Sequence, residues 1–99
     1  MKYYVYVLYS KKYDKIYIGY TSNLEVRMSY HNETARKGYT KRYRPWEVLY
    51  KEEYKMKLEA LKREKQLKGG QGRSWIKHTL LKPLSYYLFD KNFSLLIWH

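Results

Sequence analysis

Two short segments decide the fold: YYVYVLY at residues 3–9 and KIYIGY at residues 15–20. Both are rich in tyrosine, valine and isoleucine, whose side chains fit the pleated surface of a sheet. The polar sequence KKYD, at residues 11–14, lies between them and is typical of a turn. The pattern therefore predicts an antiparallel hairpin.

The predicted pairing of this hairpin brings two tyrosines together. If it closes around Lys11 and Lys12, Tyr6 falls opposite Tyr17, and both side chains project from one face of the sheet. Gly19 lies on the same face and leaves room for another group to approach.

A helix is predicted from about Asn23 to Asn32. Ser22 and Glu25 have the spacing of a capping box, in which the serine side chain and the glutamate satisfy each other's backbone amides. Residues at helical spacing form one stripe with two apolar and two basic members, which indicates a face buried beside a polar cleft: Leu24, Arg27, Met28 and His31.

The rest of the chain completes an α+β fold, a three-stranded antiparallel sheet flanked by helices. We predict a loop, a third strand, a helix that ends at Gly69 and a short helix capped by Ser74: Glu33–Pro45, Trp46–Tyr54, Met56–Lys68 and Trp75–Leu81. A chain of 99 residues has too little interior for two cores, so one domain is expected over residues 1–82.

Composition limits the kinds of metal site, cellular location and partner that are expected. With no cysteine, the chain has neither disulfides nor a thiolate zinc site. Any metal must be held by carboxylates, histidine or water, and these ligands favour Mg²⁺ or Mn²⁺. No apolar run is long enough for a signal peptide or a membrane span, so a cytoplasmic protein is expected. The formal net charge of +12 favours nucleic acid as partner, with an acidic membrane surface or an acidic protein as alternatives.

Glu64 lies where the predicted third helix should bury an apolar residue, between Ala60, Leu61 and Leu67 on the helical wheel. A carboxylate on an apolar stripe is costly unless it is paired or binds a cation. It is therefore either a partner of a neighbouring Lys or Arg or a metal ligand.

Four other polar residues allow two interpretations. Arg27 and His31 could form a solvated or core-edge pair, or could hold a phosphate and accept a proton. Tyr6 and Tyr17 could be core residues, because a tyrosine-rich strand pair is usually core. A phenol with a pKa of about 10 is a poor base, and it becomes a plausible one only beside Arg27, a metal-bound water and a histidine that can take its proton.

The strand–turn–strand–helix order, the tripeptide Tyr17-Ile18-Gly19 and the later Glu64 resemble the GIY-YIG nuclease family, and in particular its small stand-alone members. The resemblance implies that Glu64 is the protein's ligand to one divalent ion, that Arg27 is the catalytic arginine and that His31 supports base catalysis. It also implies that Tyr6, Tyr17 or both activate or position the attacking water, without assigning the general base to one of them.

Two positions depart from the family pattern. Tyr4 stands where the glycine of the first tripeptide usually lies, and Tyr20 stands where several relatives carry a catalytic lysine. The second departure leaves tyrosine and histidine as candidates for the base.

Five basic residues in the predicted loop have two tyrosines between them and could be simply solvated. Beside a cleft that handles phosphate, they instead predict a clamp on the nucleic-acid backbone without base recognition: Arg36, Lys37, Lys41, Arg42 and Arg44.

These features together predict a metal-dependent endonuclease that hydrolyses phosphodiester bonds in DNA. A non-catalytic nucleic-acid-binding module and a protein-interaction adaptor are the alternatives. Residues 83–99 form an apolar extension, which we expect to pack on the domain of a monomer or, alternatively, across a dimer.

Overall fold

The computed structural model describes residues 1–81. The predicted packing of the extension at residues 83–99 lies outside the described residues. The chain divides into two compact units, of which the first is Met1–Lys65 and the second begins at Gln66.

The first unit is built on a three-stranded antiparallel sheet, which confirms the predicted α+β fold class. Its strands are β1 (Tyr3–Ser10), β2 (Lys15–Thr21) and β3 (Glu47–Tyr54), and their order in the sheet is β2-β1-β3. The central strand β1 is the most buried, because it is paired on both edges, and Val5–Ser10 are all closed to solvent.

The pairing of β1 with β2 differs from the predicted register. Tyr6 lies opposite Gly19, and Tyr17 lies opposite Leu8. The turn consists of four residues, and its last residue, Asp14, has a φ of 54° and accepts a hydrogen bond from the hydroxyl of Tyr9. The longer turn shifts the register by two residues, so the predicted face is kept and Tyr6 and Tyr17 become diagonal neighbours.

The first helix is shorter than predicted and has a different cap. Helix α1 spans Leu24–Ser29, and Asn23, rather than Ser22, caps it by accepting a hydrogen bond from the amide of Val26. A π-helical turn, Tyr30–Thr34, continues from α1.

The segment predicted as a loop contains a further short helix, α2 (Tyr39–Arg42), which follows Gly38 at a φ of 97°. Tyr6, Leu8 and Trp46 form the core of this face of the sheet. The partly buried apolar residues packed against them come from β2, α1 and the end of α2: Tyr17, Leu24, Met28 and Tyr43.

Helix α3 (Lys57–Lys68) ends before Gly69, as predicted. In the second unit, α4 (Gly70–Trp75) starts earlier than predicted, because Gly69 and not Ser74 is its N-cap, and a π-helical turn, Ile76–Leu81, follows. Within residues 1–81, no helix has both the length and the apolar character needed to cross a membrane.

Candidate active site

Tyr6 lies at the centre of the site, on the central strand and with only 1% of its surface exposed. Its hydroxyl passes directly over Gly19, so closely that a Cβ at that position would lie 2.6 Å from the hydroxyl oxygen. The sequence signal at Gly19 therefore has a defined cause, which is the space that the Tyr6 ring requires. The ring of Tyr17 lies 6.3 Å from that of Tyr6, measured between centroids.

His31 closes the other side of Tyr6. Its Nε2 lies 2.9 Å from the hydroxyl oxygen of Tyr6, and its ring meets that of Tyr17 edge-on at a centroid distance of 4.8 Å. His31 is 1% exposed, and its Nδ1 has no hydrogen-bond partner among the residues that the structure describes. A buried imidazole with one orphaned nitrogen is costly, which points to a function for this side chain.

The surroundings keep both members of this pair neutral at pH 7. Burial raises the pKa of Tyr6 to about 12, although nearby Arg27 opposes this shift. Burial also lowers the pKa of His31 to about 4, and the charges of Arg27 and Arg44 act in the same direction. The pair is thus a phenol and an uncharged imidazole.

Arg27 brings positive charge to the hydroxyl of Tyr6. Although burial has the larger effect on the pKa of Tyr6, Arg27 lowers this pKa and so favours the ionised form of the phenol. The guanidinium also lies over the ring of Tyr30 at 5.1 Å, a cation–π contact that orients it. Arg27 is half-buried and can therefore still reach a bound anion.

Glu64 is connected to this group through its charge. It is half-buried on α3, and its carboxylate raises the pKa of Tyr6 as the weakest of the contributions. The structure thus brings Tyr6, Tyr17 and His31 into contact with one another, with Arg27 beside Tyr6 and Glu64 within electrostatic range of it.

A network on β3 attaches α3 to the sheet. Glu52 accepts hydrogen bonds from Nε of Arg63 at 2.9 Å, from Nη2 of Arg63 at 3.0 Å, and from the hydroxyls of Tyr50 and Tyr54. Although burial raises the pKa of Glu52, these bonds lower it below its usual range. Glu52 lies opposite Val5 and so alternates with Lys51, the neighbour of Tyr6, which places this anchor on the other face of the sheet.

Sequence reasoning missed this anchor. The signal was present in the period-two pattern Tyr50, Glu52, Tyr54, which puts three polar groups on one face of a strand. Arg63 directly precedes Glu64, so the bidentate pair with Glu52 also restricts the rotation of the helix that carries Glu64.

A divalent ion could be held by this site through few protein ligands. Within the described range, 1–81, no three His, Asp or Glu side chains cluster in a way that would enclose an ion. Glu64 offers a hard carboxylate oxygen, which suits Mg²⁺ or Mn²⁺, and the remaining ligands would be water and substrate oxygens. The residues present fit an ion that is shared with the substrate.

The five basic residues predicted to bind nucleic acid occupy two kinds of environment. Arg36, Lys37, Lys41 and Arg42 are exposed and line a surface cleft of about 580 Å³. Arg44 is half-buried, and its guanidinium donates to backbone carbonyl oxygens. The structure therefore groups four of the predicted residues and places Arg44 apart from them.

Aromatic rings connect the cleft to the candidate site. Tyr39 packs against Tyr17 at 6.3 Å and Tyr43 at 5.0 Å, and Tyr43 meets Tyr13 at 5.4 Å. Lys15 and Arg42 lie over the ring of Tyr43, at 5.3 Å and 5.6 Å. The tyrosine rings thus form a chain of ring contacts from the cleft to Tyr17, with cations beside Tyr43.

A model of the GIY-YIG catalytic domain matches residues 2–79 of the chain. The chain belongs to the GIY-YIG family. The match confirms the resemblance that the tyrosine hairpin and Glu64 indicated in the sequence. The GIY-YIG family is a family of nucleases.

UPF0213 proteins from bacteria are similar to this chain over much of its length. A UPF0213 protein of Staphylococcus haemolyticus is 40% identical over 67 residues, which are 68% of this chain and 80% of that protein. A UPF0213 protein of Staphylococcus saprophyticus is 39% identical over the same length. The NMR structure of a UPF0213 protein from Bacillus halodurans superimposes with a TM-score of 0.47 at 23% identity, over 77% of this chain and 82% of that one.

Proposed function

We propose that this GIY-YIG domain is a metal-dependent DNA endonuclease that hydrolyses phosphodiester bonds. The observation that carries the proposal is the closed pair of Tyr6 and His31, with the Arg27 guanidinium beside the phenol. A tyrosine that only fills the core needs no more than one hydrogen-bond partner. Tyr6 has that partner and also lies beside the Arg27 cation and within range of the Glu64 charge.

The pair supplies a route for a proton. Tyr6, with a pKa raised to about 12, is protonated at pH 7 and cannot act as a base unless it passes its own proton on. In the tautomer with its proton on Nδ1, neutral His31 accepts that proton at Nε2 while Tyr6 takes one from the attacking water. The negative charge of a bound phosphodiester offsets Arg27 and Arg44 and so favours the protonated imidazole.

Arg27 and Glu64 have separate tasks in the same reaction. Arg27 donates to a non-bridging phosphate oxygen and stabilises the charge that develops as water attacks. Glu64 would hold the divalent ion, which would supply Lewis-acid chemistry to the reaction when bound. Positioning and electrostatics of this kind carry most of the catalysis in phosphoryl chemistry.

DNA is the substrate that the surface favours. Arg36, Lys37, Lys41 and Arg42 would contact the phosphates, and tyrosine rings beside them offer flat faces and hydroxyl donors. Such contacts bind the backbone and carry no sequence readout, so the protein is expected to tolerate many sequences.

Incubation of supercoiled plasmid with the protein, with Mg²⁺ and with EDTA, tests the proposal. Nicked or linear products that need Mg²⁺ support it. Retarded but intact plasmid in both conditions would support the non-catalytic binding module, and neither binding nor cleavage would favour the interaction adaptor.

A further inference from the structure

Arg44, which the sequence groups with the phosphate-binding residues, has a different environment from the other four. Its Nε donates to the carbonyl oxygen of His31 at 2.6 Å, and its Nη2 donates to that of Ala35 at 2.7 Å. These two carbonyls lie at the start and just after the end of the π-helical turn, Tyr30–Thr34. One guanidinium therefore binds the backbone at both His31 and the C-cap of the turn that carries it.

We infer that Arg44 is a positioning residue, which fixes the ring of His31 against the hydroxyl of Tyr6. The inference rests on the proposed function, because it assigns Arg44 to the proton path of that site. A planar fork can hold two carbonyls at a set separation, whereas a lysine ammonium cannot.

A second set of hydrogen bonds attaches the same turn to Trp46, two residues after Arg44. The side-chain amide of Asn32 donates to the carbonyl of Trp46 at 3.0 Å, and its oxygen accepts from the amide of Trp46 at 2.7 Å. The indole of Trp46 donates to the carbonyl of Thr40 at 2.7 Å and is itself in the core. His31 is thus held through its own carbonyl by Arg44 and through its neighbour by a buried tryptophan.

A π-helical turn needs such partners. Its wider backbone leaves carbonyls that do not follow the regular helical pattern, and the amide of Ala35 already bonds to the carbonyl of Tyr30 at 2.8 Å. Arg44 satisfies the carbonyls of His31 and Ala35 in the half-buried region where water has limited access. Loss of the fork would let the turn relax and would move the imidazole away from Tyr6.

The charges around His31 support the same role. The groups that face it are Tyr6 from β1, Tyr17 from β2, Arg27 from α1, Tyr30 from the same π-helical turn, and Arg44 from the segment before β3. The only cations in this set are Arg27 and Arg44, and both lower the pKa of His31. Burial is the largest cause of the lowered pKa of His31, and the charge of Arg44 adds to it after that of Arg27. Arg44 therefore holds the ring in place and helps to keep it in the uncharged form that can accept a proton.

NMR titration of His31 tests the inference without any need for cleavage. His31 signals, assigned by comparison with His31→Gln, should titrate near pH 4 in the wild type and at higher pH in Arg44→Met, with weaker contacts to Tyr6. Lys55→Met removes an equal charge from an exposed bend outside the site and should leave the His31 titration unchanged. An unaltered His31 titration and unaltered Tyr6 contacts in Arg44→Met would overturn the inference.

Kinetics separate positioning from phosphate binding. Arg44→Met and Arg44→Lys should both lower kcat, by about ten- to a hundredfold for a misplaced catalytic group, with little change in KM. Arg42→Met should instead raise KM with little effect on kcat. If Arg44→Lys kept the full kcat, or if Arg44→Met changed only KM, Arg44 would be a phosphate ligand and not a positioning residue.

The two proposals fail in distinguishable ways. If wild-type protein did not cleave plasmid, the endonuclease proposal would fall, while the effect of Arg44 on His31 would still be decided by NMR. If Arg44→Met did not fold, both the NMR and the kinetic measurements would be made on Arg44→Lys, which keeps the charge and loses the fork.

Discussion

The hydroxyl oxygen of Tyr6 and Nε2 of His31 lie 2.9 Å apart, and each side chain has only 1% of its surface exposed. A buried phenol and a buried neutral imidazole in this contact form a hydrogen bond that competes little with bulk solvent. The pair is positioned by the central strand on one side and by a braced helical turn on the other, so its geometry is set by the fold.

Tyr6→Phe should lower kcat by about 10²- to 10⁴-fold, the usual contribution of a group that transfers a proton in the transition state. It should also cost about 1–3 kcal/mol in the free energy of unfolding, because Nε2 of His31 loses its partner. Tyr9→Phe is the matched control, since it removes a hydroxyl that bonds to Asp14 outside the site. Equal loss of activity in the two variants would contradict a specific role for the Tyr6 hydroxyl.

The free energy of unfolding should fall as the pH falls from about 6.5 to about 4. The pKa of His31 is lowered in the folded protein from 6.5 to about 4, so within this range the unfolded chain binds a proton that the folded chain does not. The contribution of His31 is fully present above pH 6.5, and up to about 3 kcal/mol is lost on acidification. Urea unfolding at a series of pH values measures it.

His31→Gln should flatten this pH dependence, whereas His78→Gln, at an exposed histidine, should leave it as in the wild type. A wild-type curve that stayed flat between pH 4 and pH 6.5 would show that His31 titrates normally. It would then be a solvated side chain and not a closed partner of Tyr6.

Glu64→Gln should abolish Mg²⁺-dependent cleavage, because it removes the negative charge of the proposed metal ligand. It should leave the affinity for DNA nearly unchanged, because it removes no phosphate contact. Glu59→Gln, at an exposed position of the same helix, is the control and should cleave like the wild type. The measurements are cleavage rates over a range of Mg²⁺ concentrations and DNA binding in EDTA. Full activity of Glu64→Gln would exclude it as the metal ligand.

DNA binding should weaken steeply with salt. For duplex DNA, each phosphate contact contributes about −0.9 to the slope of log K against log salt concentration. Alanine at four exposed residues of the cleft should therefore flatten the slope by about 3 to 4 units if all bind phosphate: Arg36, Lys37, Lys41 and Arg42.

The control for that experiment removes four exposed lysines around α3: Lys55, Lys57, Lys62 and Lys65. It changes the net charge by the same amount, so a slope that fell equally in both variants would reflect overall charge and not a defined interface. An unchanged slope in the cleft variant would make that segment a simple solvated surface.

The periodic features of the site could be predicted from the sequence. Alternation in the strands put Tyr6, Tyr17 and Gly19 on one face, and this survived an error in register because the shift was two residues. The helical stripe that included Arg27 and His31 was likewise a consequence of local spacing.

The strand register and the environment of Arg44 could not be predicted, because they depend on contacts that leave no periodic pattern in the sequence. The register followed from Asp14, whose positive φ and bond to Tyr9 lengthened the turn. The environment of Arg44 followed from a fold that brings it against carbonyls 13 and 9 residues earlier in the chain. In the sequence, Arg44 looks the same as Arg42, and only the tertiary structure separates them.

Gly19→Ala should damage the site through sterics alone. A Cβ at this position would lie 2.6 Å from the hydroxyl oxygen of Tyr6, 2.7 Å from its Cζ and 3.1 Å from Cε2 of Tyr17. Contacts this short force the Tyr6 ring away from its place, and the buried strand pair leaves it little room to move. We expect loss of cleavage comparable to that of Tyr6→Phe, together with a lower melting temperature.

Gly70→Ala is the matched control for this last prediction. A Cβ at Gly70 meets nothing within 4 Å, and alanine is favoured over glycine in a helix by about 0.5–1 kcal/mol. Gly70→Ala should therefore keep full activity and melt at the same or a slightly higher temperature. If Gly19→Ala also kept full activity, the Tyr6 hydroxyl could be displaced without consequence, and the proton path through Tyr6 and His31 would be wrong.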